Sequence, residues 1–106
     1  MNVEKYSYET TDDFLDYEFD SIGPRGTIRK IVRYSLRFSS NNQPFYNLGF
    51  GDLDEEKQQI NESINSGNGD MEKILATVAN TVVDFTGKYP EMPVYVEGST
   101  PSRIRL

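Results

Sequence analysis

A glycine, three hydroxyl residues and an arginine lie close together near the end of the chain: Gly98, Ser99, Thr100, Ser102 and Arg103 in GSTPSRIRL. Such a group can turn backbone N–H donors toward an anion, with a guanidinium adding a bidentate contact. Gly98, Ser99, Thr100 and Arg103 are therefore a candidate anion-binding site. The phosphate-loop spacing G-x-x-x-x-G-K-[ST] is absent, however, and no helix pattern begins here to add its N-terminal dipole. The plainer alternative is a turn at Gly98 and Pro101, with Arg103 and Arg105 as alternate, solvated residues of a last strand.

The second concentration of charge is basic. Arg25, Arg29, Lys30, Arg33 and Arg37 fall between positions 25 and 37 with no acid among them. On a strand, Arg29, Arg33 and Arg37 share one face. With Phe45 of the following segment they form a candidate surface for single-stranded nucleic acid, the cations tracking phosphates while ring and guanidinium planes stack on bases. The competing reading is that Asp16 and Asp20, on the preceding segment, neutralise the row. A third cluster, GDLDEE (51–56), alternates Asp52, Asp54 and Glu56 like the start of a calcium loop. That loop needs Gly at its sixth position and Glu at its twelfth, where this chain has Lys57 and Ser63, so a solvated acidic loop is expected and no metal site.

Composition narrows the chemistry further. The chain has 106 residues, no Cys and no His. This removes disulfides, thiolate nucleophiles, the commonest general base and the commonest metal ligand. A hydrolase would then need paired carboxylates, a Ser–Lys pair or a carboxylate metal site, and no spacing ties a Ser to a Lys. A non-catalytic binding module without cofactor is expected. The net charge of −6 disfavours indiscriminate binding to polyanions. No run approaches the roughly 20 apolar residues of a membrane span, and MNVEKYSYETTDD lacks the apolar core of a signal peptide. The expected compartment is the cytoplasm, away from membranes, and the length fits one domain, 1–106.

Periodicity supplies the elements that would position these residues. FLDYEFD (14–20) alternates Leu15, Tyr17 and Phe19 with Asp16, Glu18 and Asp20, the period of a half-buried strand. IGPRG gives a tight connection, and TIRKIVRYSLRF (27–38) alternates again, with Val32, Tyr34, Leu36 and Phe38 opposite Arg29, Ile31, Arg33, Ser35 and Arg37. If the two apolar faces coincide, antiparallel pairing sets Asp20 near Arg29, Glu18 near Ile31 and Asp16 near Arg33. FYNLGF (45–50) is a third strand, YSYET (6–10) a weaker one, and 51–69 a loop or hairpin excursion. In DMEKILATVANTVVDFTGKYP (70–90), Met71, Ile74, Leu75, Val78, Val82 and Phe85 form an apolar stripe, with Glu72, Lys73, Thr77, Asn80, Thr81 and Asp84 across from it. Asp70 is the expected N-cap and Gly87 the C′ residue. PVYVEGS (93–99) returns as a strand. The expected fold is α+β: a twisted antiparallel sheet of four to five strands with one long helix on one face.

Four stretches, YEFDSIGPRGTIRKIV, YNLGFGD, GNGDMEKILATVANTVVDF and VYVEGSTPSRIRL, resemble a bacterial family of short proteins known only as a domain of unknown function. The resemblance runs from about Tyr17 to the end and brings no catalytic residues with it. Members continue past the Arg-x-Arg-Leu position, which implies a sheet or helix left partly uncovered here. At the level of fold, four strands followed by a long helix are similar to the ββββα unit of PUR-type and whirly-type single-stranded nucleic-acid binders. There an Arg-Gly near a turn, as Arg25-Gly26 here, leads into a basic strand. That resemblance implies a nucleic-acid partner and homodimerisation. The alternative function is a protein-interaction or homodimerisation domain.

Overall fold

The structure is a computed structural model and describes residues 4–54, 56, 59–61 and 69–96. Its elements are β1 (Glu9–Thr10), β2 (Asp16–Gly23), β3 (Gly26–Phe38), β4 (Pro44–Asp54), β5 (Gln59–Asn61), α1 (Met71–Lys88) and β6 (Val94–Val96). Strands β1 to β5 pair antiparallel in chain order. The class is α+β as the pattern implies, but the sheet is mixed, because β6 runs parallel to β4 with Tyr46 opposite Val94 and Leu48 opposite Val96. A parallel return needs a long crossover, and α1 provides it.

The hairpin register follows the alternation of both strands. Asp16 faces Arg33, Glu18 faces Ile31 and Asp20 faces Arg29. A one-residue slip would carry Tyr17, Phe19, Val32 and Tyr34 out of the core, so burial fixes the phase. Pro24 and Arg25 make the turn, and Gly26 takes φ +92, a conformation that side chains with a Cβ disfavour.

Tyr17, Phe19, Val32, Tyr34 and Leu48 from the sheet meet Ile74, Val78 and Phe85 from α1 in one core. Tyr34 stacks on Phe85 with ring centroids 4.1 Å apart, and Tyr46 and Tyr89 close the helix end of the cluster. Tyr6 and Tyr8, expected within a first strand, lie before β1 and pack their rings on Phe19 and Tyr17 instead.

The helix is rotated from the stripe its apolar residues suggest. Its buried residues are Ile74, Thr77, Val78, Thr81 and Phe85, whereas Met71 and Leu75 are exposed. Hydrogen bonding makes this rotation possible. The Thr77 hydroxyl accepts from the Tyr6 backbone N–H at 2.8 Å and donates to the Lys73 carbonyl at 2.7 Å. The Thr81 hydroxyl donates to the Val78 carbonyl and so accepts from the Tyr34 hydroxyl at 2.9 Å. Two threonines placed on the polar side by periodicity are thus buried without leaving a polar group unmet. Helix α1 also runs past the stop expected at Gly87, to Lys88, with Tyr89 at its C-cap and Gly87 inside the last turn. Asp70 sits at the N-cap but makes no capping bond with its side chain. Its carboxylate accepts from Tyr6 and Ser21, each at 2.5 Å. Among the described residues no helix is long and apolar enough to cross a membrane.

Candidate interaction surface

Strand β3 carries arginines at every fourth position of the face turned away from α1. It is 13 residues long while β2 has 8, and the β2 ladder ends at the pair Asp16–Arg33. The basic row therefore spans two environments.

At its start, Arg29 is enclosed by carboxylates. Its guanidinium donates to Glu9 at 2.6 Å, Asp20 at 3.1 Å and Glu18 at 3.2 Å. The hydrogen bond to Glu9, followed by those to Asp20 and Glu18, outweighs burial and holds this cation above even the ordinary arginine range. Arg33 pairs with Asp16 through Nε at 2.9 Å, with a longer Nη2 contact at 3.4 Å. The acidic row of β2 thus lies against the first two arginines of the basic row, the cross-strand arrangement that stabilises a ladder by about 0.2–1 kcal/mol per pair.

Arg37 lies beyond the end of β2 and has no β2 residue opposite it. Its one ladder partner is Phe45 of β4. Among the described residues Arg37 makes no ion pair, and it is exposed. Beside it the Phe45 ring meets Tyr95 of β6 edge to face, centroids 5.1 Å apart. Phe38, Ser39, Gln43, Pro44 and Pro93 complete the lining of a cavity of about 410 Å³ around these rings. Phe38 is 60% exposed and Tyr95 62%, so two large apolar side chains remain in water at this end of the sheet. In the Ser39–Gln43 turn the Ser39 N–H donates to the Gln43 carbonyl at 2.9 Å and the Asn42 N–H to the Ser39 carbonyl at 2.8 Å, and Asn42 tolerates the left-handed φ of 62 that the turn requires.

Of the residues singled out by type and spacing, Arg37 and Phe45 are brought together, while Arg29 and Arg33 are drawn into the acidic row. Gly98, Ser99, Thr100 and Arg103 lie outside the described residues. The chain pattern gave no site role to Phe38 or Tyr95, which line one cavity because the crossover brings β6 beside β4. It also gave no role to Lys30, which is 1% exposed on the core face and hydrogen-bonded to Asp52. The signal was present: alternation puts Lys30 in phase with Val32 and Tyr34. Asp52 also lines a cleft of about 630 Å³, together with Asp20, Asp54, Glu56, Arg29, Ile28 and Leu53. Among the described residues no three acidic side chains converge to hold a metal ion.

Comparison with protein families finds one that spans nearly the whole chain: a family model described as a family of unknown function, DUF6934, matches residues 2–106. The chain belongs to this family. Comparison with curated proteins and with solved structures gives no match in either. The DUF6934 assignment therefore establishes kinship, and the reading of function rests on the surface described above.

Proposed function

We propose that this DUF6934 chain is a non-catalytic protein-binding module. Its contact surface is the end of the sheet where Phe38, Phe45 and Tyr95 surround a cavity beside Arg37. The partner is an extended protein segment that lays an apolar side chain between the rings and sets a carboxylate on Arg37. The observation that carries this reading is the contrast within one strand: Arg29 and Arg33 are ion-paired with carboxylates, whereas Arg37, which makes no ion pair among the described residues, stands opposite Phe45, whose ring meets the exposed Tyr95. Aromatic side chains with an adjacent arginine are the composition that concentrates binding energy at protein interfaces.

Selection from a random-peptide display library tests it. Peptides carrying an apolar residue near an acid should be enriched, and Tyr95→Ala or Arg37→Ala should weaken them by roughly tenfold or more, since anchor truncations cost upward of about 1.4 kcal/mol. A second reading, single-stranded nucleic acid at the same place, draws on Arg37 and Phe45 lying opposite each other. The face around them supports it less, because Glu9, Asp16, Glu18 and Asp20 outnumber Arg29, Arg33 and Arg37. Saturable, salt-sensitive oligonucleotide binding that Arg37→Ala abolishes would favour this second reading over the first.

A further inference from the structure

In an antiparallel ladder the N–H and C=O of successive residues turn to opposite neighbours. On β3 the Tyr34 N–H donates to the Leu15 carbonyl on the β2 side, and just past its end the Ser39 N–H donates to the Gln43 carbonyl on the β4 side. Leu36 and Phe38 are in phase with Tyr34, so their backbone groups face the line of β2. That strand begins only at Asp16, which stands opposite Arg33. Among the described residues, nothing pairs with Leu36, Arg37 or Phe38 on this side. The open edge carries Leu36 and Phe38 exposed on the side of the sheet that bears α1, and Arg37 exposed on the other.

An unpaired strand edge is a template for a further strand, and a charge placed on it restricts what can add. The existing ladder shows what this charge selects. Asp20 stands opposite Arg29 and Asp16 opposite Arg33, each pair joined by an ion pair. Arg37 is the next arginine at the same spacing, with no β2 residue opposite it and no ion pair among the described residues. An acid on an added strand completes the series, whereas a cation there is repelled. Given the protein-binding reading above, on which this step rests, we infer that the partner binds by strand addition. An extended segment pairs antiparallel with Leu36–Phe38 of β3, in line with β2, with an acid opposite Arg37 and apolar residues opposite Leu36 and Phe38. Its main chain exchanges hydrogen bonds with Leu36 and Phe38, the mode in which backbone supplies affinity and alternate side chains supply specificity. The residue opposite Phe38 lies nearest the cavity at the end of the sheet, which Phe38 helps to line.

Amide hydrogen exchange, read by NMR on the whole chain with one display-selected peptide, tests the pairing. In the free chain the Leu36 and Phe38 amides should exchange rapidly, while those of Ser35 and Arg37, which face β4, are protected. Saturating peptide should slow Leu36 and Phe38 by roughly tenfold or more. N-methylation of an apolar residue next to the peptide's acid removes a donor and blocks close approach, and should weaken binding roughly tenfold or more. N-methylation of the acid itself, whose N–H faces away from β3, should change it by less than about twofold. Leu36 and Phe38 amides already protected in the free chain would overturn strand addition. So would a peptide that binds without protecting them, or one indifferent to which residue is methylated; if that peptide still depends on Arg37 and Tyr95, the protein-binding surface stands and strand addition alone fails. Protection of Leu36 and Phe38 that Tyr95→Ala leaves unchanged would instead uphold strand addition and remove the rings from the binding surface.

Discussion

The two ends of β3 have the same residue type on the same face and differ in what lies beside them. Near the start, Arg29 has Glu9, Glu18 and Asp20 around it, because β1 and β2 both extend that far. Near the end, Arg37 has Phe45 on one side and no β2 residue on the other, because the shorter strand stops at Asp16. A guanidinium is therefore structural or available according to the length of the neighbouring strand. The same mismatch leaves Leu36 and Phe38 exposed, although Val32 and Tyr34, in phase with them, are buried.

That contrast can be broken at the satisfied end first, where the largest effect is expected. Asp52→Ala leaves the Lys30 ammonium buried without its carboxylate and should cost about 3 kcal/mol in denaturant unfolding, the lower end for a broken buried pair because Asp52 itself is partly solvated. Replacing both partners, Lys30→Met with Asp52→Leu, should recover most of that loss. If the single and double replacements unfold alike, the pair is not what holds Lys30 inside.

Next in size is the seam between sheet and helix. Tyr34→Phe removes the hydroxyl that bonds Thr81 and should lower stability by about 1 kcal/mol, since Thr81 keeps its bond to Val78. Burial pushes the Tyr34 phenol well above its ordinary range, so its absorbance should show no ionisation until the chain unfolds in alkali.

Smaller effects separate the arginines themselves. Arg29→Ala should cost up to about 1 kcal/mol, for three contacts that are partly screened, while Arg37→Ala should fall within about 0.5 kcal/mol of wild type. Equal costs for both would remove the distinction between the two ends.

The smallest effect is a pH limb. Burial works to raise the Asp70 carboxyl, but the hydrogen bonds from Ser21 and Tyr6 outweigh it and hold the group below the ordinary carboxylate range. The native chain then binds fewer protons here than the unfolded one. This stabilisation is complete above the ordinary carboxylate range and is lost as pH falls through the lowered native value. Asp70→Asn should flatten that part of the acid limb in a series of thermal midpoints, and an unchanged slope would show that other carboxylates set it.

The hairpin phase was legible in the chain because two alternating strands with one buried face admit a single register. The helix was legible as an element but not in rotation. Threonine counts as polar in a periodicity, and only tertiary contacts reveal that the Thr77 and Thr81 hydroxyls find partners inside. The basic row was legible as a row, yet its division between paired and free cations depends on where β2 stops. Strand ends are the least determined feature of any alternating pattern. Tyr95 and Phe38 could not be joined from spacing, because the crossover through α1 brings β6 beside β4.

The most direct test of the contrast is a binding isotherm of one display-selected peptide on four chains: wild type, Arg29→Ala, Arg37→Ala and Tyr95→Ala. Affinity should fall roughly tenfold or more for Arg37→Ala and Tyr95→Ala and stay within about twofold for Arg29→Ala. Loss of affinity at Arg29→Ala, with Arg37→Ala and Tyr95→Ala unaffected, would contradict the account by placing recognition on the carboxylate-paired end of the strand.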